Sequence, residues 1–169
     1  MEALDCQNQT VSKAHVVTVS DGVFHGTRVD KSGPALVSLL SQGGFEVSEV
    51  EVVPDEVARI TEAVLTAIAR GVDLVVATGG TGLGPRDVTP QAMSALVEYE
   101  VPGIGEAMRR VGVGSTPMAA LSRSMAGVRE RTLIISVPGS MSGATESLDA
   151  VMPIIGHAIQ LLHGDTSHR

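Results

Sequence analysis

The chain predicts an α/β fold built on a mostly parallel sheet. Apolar, β-branched runs such as Val75-Val76-Ala77 are continuous rather than alternating, the pattern of strands buried on both faces. Between them lie stretches with apolar residues three and four apart, the mark of amphipathic helices. A third observation concerns the residues just past each strand: Ser20-Asp21-Gly22, Pro54-Asp55-Glu56, Thr78-Gly79-Gly80-Thr81-Gly82 and Pro138-Gly139-Ser140. In a parallel sheet these carboxyl ends share one edge, the edge at which doubly wound folds bind ligands.

Residues 1–13 are polar and read as a disordered lead-in. Residues 15–20 form the first strand, followed by a polar loop to Gly33. Gly33-Pro34 opens a helix with Leu36, Leu39 and Leu40 on one face, closed by Gly43-Gly44. The second strand covers 45–53. Pro54-Asp55-Glu56 then starts a helix whose stripe is Val57, Ile60, Val64, Ala67 and Ile68, ending at Gly71. The third strand, 73–78, runs into a glycine loop. Thr89 as N-cap and Pro90 at the first helical position begin a helix that reaches about Tyr99. Another starts at Pro102, carries Ile104, Met108 and Val111 on one face, and stops at Gly112-Val113-Gly114. Thr116-Pro117 opens a short helical piece toward Leu121. Residues 124–129 and 132–137 are two strands joined by a charged turn. The last helix covers about 143–163, with Leu148, Val151, Ile155, Ala158 and Leu162 as its stripe and Pro153 kinking it. No internal repeat or linker interrupts this pattern, which gives one domain over 14–169.

Composition removes several function classes. Aromatic residues are 2% of the chain and Trp is absent, which argues against a stacking platform for single-stranded nucleic acid. The net charge of -7 argues against a DNA binder, so no nucleic-acid partner is expected. No apolar run reaches the roughly 18 residues of a membrane span, so no membrane association is expected either. The polar N-terminus lacks the apolar core of a signal peptide, and the single cysteine, Cys6, has no internal disulfide partner. Both features suit a reducing cytoplasm.

Chemistry concentrates in 75–90, where four glycines (79, 80, 82 and 84) stand within six residues after a buried strand. Glycine N–H groups approach an anion with no Cβ in the way, and a helix start adds its positive dipole end. Known phosphate loops do not fit. Walker A requires Lys and Ser or Thr after its last glycine, where this chain has Pro85. The dinucleotide fingerprint requires a glycine at that same position. Two readings stand: a phosphate loop of another type, or a tight strand-to-helix turn.

The side chains around it have two readings each. Asp55 is a helix N-cap or a metal-binding carboxylate. Asp87 forms an Asx turn or serves the site, since Thr89 already fills the cap position. Ser20 and Asp21 belong to a turn or to a ligand crevice. Arg86 and Arg123 are candidate phosphate partners, because the guanidinium fork matches phosphate oxygens. The five histidines show no metal-ligand spacing, which with a lone cysteine disfavours zinc. Met93, Met108, Met118 and Met125 are core or subunit-contact residues rather than a binding surface.

Thr78-Gly-Gly-Thr-Gly82 followed by Pro85-Arg-Asp-Val-Thr-Pro90 resembles the molybdopterin adenylyltransferase family of Mog/MoaB type, whose domain also occurs in the plant Cnx protein and in gephyrin. Further pieces agree in order: Thr18-Val-Ser-Asp21, Asp30-Lys-Ser-Gly33, Val53-Pro-Asp-Glu56, Pro102-Gly103, Leu121-Ser-Arg-Ser124 and Val137-Pro-Gly139. The resemblance implies a three-layer α/β/α sandwich, usually trimeric and sometimes hexameric. It implies transfer of an adenylyl group from ATP to molybdopterin with release of pyrophosphate and with Mg²⁺ as cofactor. Carried across by position, Asp55 and Asp87 match the two carboxylates assigned to catalysis, and as carboxylates they are expected to hold the Mg²⁺. Gly79, Gly80, Thr81 and Gly82 match the nucleotide and pterin-phosphate loop, with Arg86 beside it. Ser20 and Asp21 match the pterin side, while Ser122, Pro138, Gly139 and Ser140 match further pocket loops. The chain departs from the family after Pro138-Gly139. Many members have Asn-Pro-Asn there, and this chain has Ser140-Met141-Ser142, nearer the gephyrin pattern. Two alternatives share the resemblance: a non-catalytic pterin-binding paralogue and a trimeric scaffold.

Overall fold

The computed structural model describes residues 11–165. Most of the expected lead-in, with Cys6, lies outside that range, and Lys13 already belongs to the first strand. The order is β1 (Lys13–Val19), α1 (Asp21–Phe24), α2 (Ser32–Gln42), β2 (Glu46–Val47), β3 (Glu51–Val53), α3 (Val57–Ala69), β4 (Leu74–Thr78), α4 (Thr89–Leu96), β5 (Tyr99–Glu100), α5 (Pro102–Ser115), a 3₁₀ helix (Pro117–Leu121), β6 (Ala126–Arg129), β7 (Thr132–Val137) and α6 (Met141–Leu162). The sheet runs β2-β1-β4-β7-β6-β5, with β3 also paired to β1. Strands β1, β2, β3, β4 and β7 are parallel, and β6 joins β7 antiparallel with β5 at its outer edge.

Alternation along the central strands divides the core into two layers. Leu74 and Val76 of β4 pack with Leu36, Leu40, Met108, Leu148, Val151 and Ile155 of α2, α5 and α6. Val75 and Ala77, their neighbours in sequence, pack with Ile60, Val64, Ala67 and Met93 of α3 and α4 on the other face. A strand covered on both sides has no solvent face, and this explains its unbroken apolar run. The expected three-layer α/β sandwich is therefore the observed one.

The structure corrects several local expectations. The strand expected over 45–53 is split into β2 and β3, and buried His15 of β1 faces the break. Its Nδ1 meets Ser48 Oγ at 2.6 Å and its Nε2 meets Glu51 Oε2 at 3.1 Å. Ser20 ends no strand: its Oγ accepts from the Val23 N–H at 3.3 Å and caps the short helix α1. Helix α4 stops at Leu96, because Val97 turns extended (ψ 145°) and leads into β5, which carries no apolar periodicity to announce it. Val57 is exposed, so the buried stripe of α3 begins at Ile60. Thr89 is the first residue of α4 rather than its cap. Its hydroxyl points back and donates to the Gly79 carbonyl at 2.7 Å.

Candidate active site

The carboxyl ends of β1, β3, β4 and β7 open on one side, and the segments leaving them surround a cavity of about 830 Å³. The glycine loop is part of its lining. Gly79 (φ +101°) and Gly80 (φ +62°) take backbone conformations that L side chains avoid. The turn is fixed from several directions. The Gly79 N–H donates to the Val137 carbonyl at 3.2 Å, and the Thr89 N–H donates to the Gly80 carbonyl at 3.1 Å. Arg123, expected as a phosphate partner, braces the loop from outside. Its Nε donates to the Gly82 carbonyl at 2.8 Å and its Nη2 to the Asp87 carbonyl at 2.6 Å.

Both carboxylates stand close against this loop. A Cβ on Gly80 would lie 3.1 Å from Asp55 Oδ1, and one on Gly82 or Gly84 would lie 2.9 or 2.8 Å from Asp87 Oδ2. Asp55 is not an N-cap. Glu56 holds that position in α3, and the Asp55 Oδ2 accepts instead from the Asp21 N–H at 2.7 Å. In return the Asp55 N–H donates to Asp21 Oδ1 at 3.0 Å. Asp87 forms no forward Asx turn; its Oδ2 accepts from the Gly84 N–H at 2.8 Å. Burial raises the Asp55 carboxyl above the usual carboxylate range; the Asp21 N–H works against this, and the Asp21 and Asp87 charges add to it. Asp21 is held below that range, chiefly by the Arg86 guanidinium and then by the Asp55 N–H.

Of the expected site residues, Ser20, Asp55, Gly79, Gly80, Thr81, Gly82, Asp87, Ser122, Pro138, Gly139 and Ser140 all line the cavity. Asp21 and Arg86 stand beside it, paired with each other: Arg86 Nη2 and Nε donate to Asp21 Oδ2 at 2.8 and 3.0 Å. The wall also includes Asp30, Met108 and Arg109, which sequence reasoning did not assign to the site. Asp30 accepts from Thr18 Oγ1 at 2.7 Å and from the Gly33 N–H at 3.0 Å. Arg109 Nη1 donates to the Ser124 carbonyl at 2.6 Å. The Asp30-Lys-Ser-Gly33 motif was the available signal for the first; nothing local marked the other two. A smaller groove of about 470 Å³, walled by Ser115, Ser142, Thr145, Glu146 and Asp149, shares Thr116, Ser140, Gly143 and Glu146 with the cavity.

Among the described residues no group of three or more His, Cys, Asp or Glu side chains assembles to hold a metal. Mg²⁺ needs no such group, since it is commonly held by one or two carboxylates together with substrate phosphates and water. Asp55 and Asp87 fit that role: each is hard-oxygen, and each commits one oxygen to a backbone N–H.

Residues 15–157 match the family model described as "Probable molybdopterin binding domain". The chain belongs to this molybdopterin-binding domain family. The MoaB structure from Thermus thermophilus, titled a molybdopterin biosynthesis enzyme, superposes with a TM-score of 0.85 at 50% identity, covering 91% of this chain and 98% of that one. A Helicobacter pylori protein named molybdopterin adenylyltransferase is 37% identical over 153 residues, covering 89% of this chain and 87% of its own length. A bifunctional molybdenum cofactor biosynthesis protein of Synechococcus elongatus is 41% identical over 151 residues. There the match covers 89% of this chain but 47% of the relative, so the chain spans about half of that protein.

Proposed function

We propose that the chain transfers the adenylyl group of ATP to molybdopterin. The observation that carries this reading is the glycine loop lining the cavity with Asp55 and Asp87 close against it. The Helicobacter pylori relative, matched over most of both chains, supports it. An oxygen of the pterin's phosphate would attack the α-phosphorus of ATP, and the bond from that phosphorus to the pyrophosphate oxygen would break. The nucleophile comes from the substrate, so the protein's task is to orient two anions and offset their charge. Backbone N–H groups of the loop suit phosphate oxygens. Mg²⁺ held by Asp55 and Asp87 would supply the positive charge that a chain of net charge -7 lacks.

The test is incubation of the purified chain with ATP, molybdopterin and Mg²⁺. Stoichiometric pyrophosphate and adenylylated pterin are expected. Pterin binding without pyrophosphate release would replace this reading with the non-catalytic one.

We also propose a cytoplasmic homotrimer. No helix among the described residues is long and apolar enough to cross a membrane. Val111, Val113, Met118 and Leu121 are all more than 40% exposed in one stretch of α5 and the 3₁₀ helix. Apolar surface clustered in this way is commonly covered by another chain. Light scattering should give three times 17.4 kDa at micromolar concentration, and a mass of one chain would rule the trimer out.

A further inference from the structure

Both carboxylate oxygens of Asp21 are already engaged within the protein. Its Oδ1 accepts the Asp55 N–H and its Oδ2 takes both donors from Arg86. Its own N–H, one of the unpaired donors at the start of α1, goes to Asp55 Oδ2. Asp21 and Asp55 thus close a ring of two reciprocal backbone-to-carboxylate bonds, although they lie 34 residues apart. Arg86 arrives from the glycine-loop segment, 65 residues away, and ties the third loop to the same carboxylate. Three strand-end segments therefore meet at one side chain that stands beside the cavity.

The energetics say what this junction is for. The Arg86 and Asp21 side chains are 61% and 36% exposed, and ion pairs that open to water add little to stability. A carboxylate supported by a second layer of hydrogen bonds, in contrast, loses much of its effect when that layer is removed. We propose that Asp21 is a positioning residue for Asp55: anchored by Arg86, it fixes the Asp55 backbone and carboxylate against the glycine loop. This rests on the adenylyl-transfer reading and assigns Asp21 no contact with substrate.

The experiment uses the full chain and compares Asp21→Ala, Asp55→Asn and the double variant. In Asp21→Ala, kcat falls about 10–100-fold, the usual cost of losing an outer-shell partner. KM for ATP and for molybdopterin stays within about threefold, because ground-state binding is untouched. The double variant turns over no more slowly than Asp55→Asn, since Asp21 acts only through Asp55. A readout independent of turnover is exchange of the Asp55 amide hydrogen, which speeds up about tenfold or more in Asp21→Ala while the thermal midpoint holds. A raised KM at unchanged kcat, multiplicative losses in the double variant, or unchanged Asp55 exchange overturns the positioning role. Lost turnover in Asp55→Asn beside normal kcat in Asp21→Ala overturns it alone. Full turnover by Asp55→Asn overturns both it and the reading of Asp55 on which it stands.

Discussion

On the proposed function, Asp55→Asn is expected to fold normally and to transfer adenylyl groups about 10²-fold more slowly, the scale of one preorganised electrostatic contact. The fold is insensitive because Asp55 does not cap α3, where Glu56 stands at the N-cap. An asparagine oxygen can still accept the Asp21 N–H, and the main-chain bond to Asp21 Oδ1 is unchanged. What disappears is the negative charge. That charge is itself unfavourable to folding: burial and the Asp21 and Asp87 carboxylates raise the group above its ordinary range. A carboxyl raised in the folded state costs stability as pH rises through its titration and costs nothing once protonated. The variant is therefore equal to or slightly more stable than the parent at neutral pH, and the difference vanishes in acid. Activity and melts recorded together across pH check this; a large loss of stability with normal turnover would return Asp55 to a structural role. Asp87→Asn is likewise expected to lose turnover while folding normally, since an asparagine oxygen still accepts the Gly84 N–H. The two losses combine to less than their product, as expected of groups serving one centre.

Gly79→Ala is expected to be the most damaging small substitution in the loop, at about 3–5 kcal/mol from strain and overpacking together. Gly79 sits at φ +101°, and an added Cβ would run into the Val19 carbonyl oxygen at the end of β1. Backbone cannot rotate aside as a side chain can, so β1 and β4 must part. Gly26→Ala separates the two causes. Gly26 has φ +72° with nothing within 4 Å of the added carbon, so it bears the conformational cost alone, about 1–2 kcal/mol. Urea titration of the pair decides: equal costs would mean that the approach of Gly79 to β1 is slack.

The sheet and its binding edge were legible because strands covered on both faces have to be apolar throughout, and their ends have to turn in small residues. The glycine loop was legible for the same reason. Local rules failed where a side chain found a distant partner better than the near one. Thr89 had the sequence of a cap and Asp55 the position of one, yet Gly79 and Asp21 hold them. Arg86 and Arg123 had the chemistry of phosphate ligands, and one is paired with Asp21 while the other braces the loop. Arg109 comes from a helix whose pattern reports only its buried face. Strand β5 is two residues long, too short to leave any period.

The two ends of the sheet carry a consequence for assembly. One rim is formed by β2 and β3, of two and three residues, and the other by β5, of two. Rows of free N–H and C=O groups that short offer little template for a foreign strand, which is a common way of keeping sheet proteins from pairing edge to edge. A sheet blunted at both rims is a poor template for lengthening by a neighbour. Copies of this chain that come together as proposed are therefore expected to meet through surfaces other than the sheet rims.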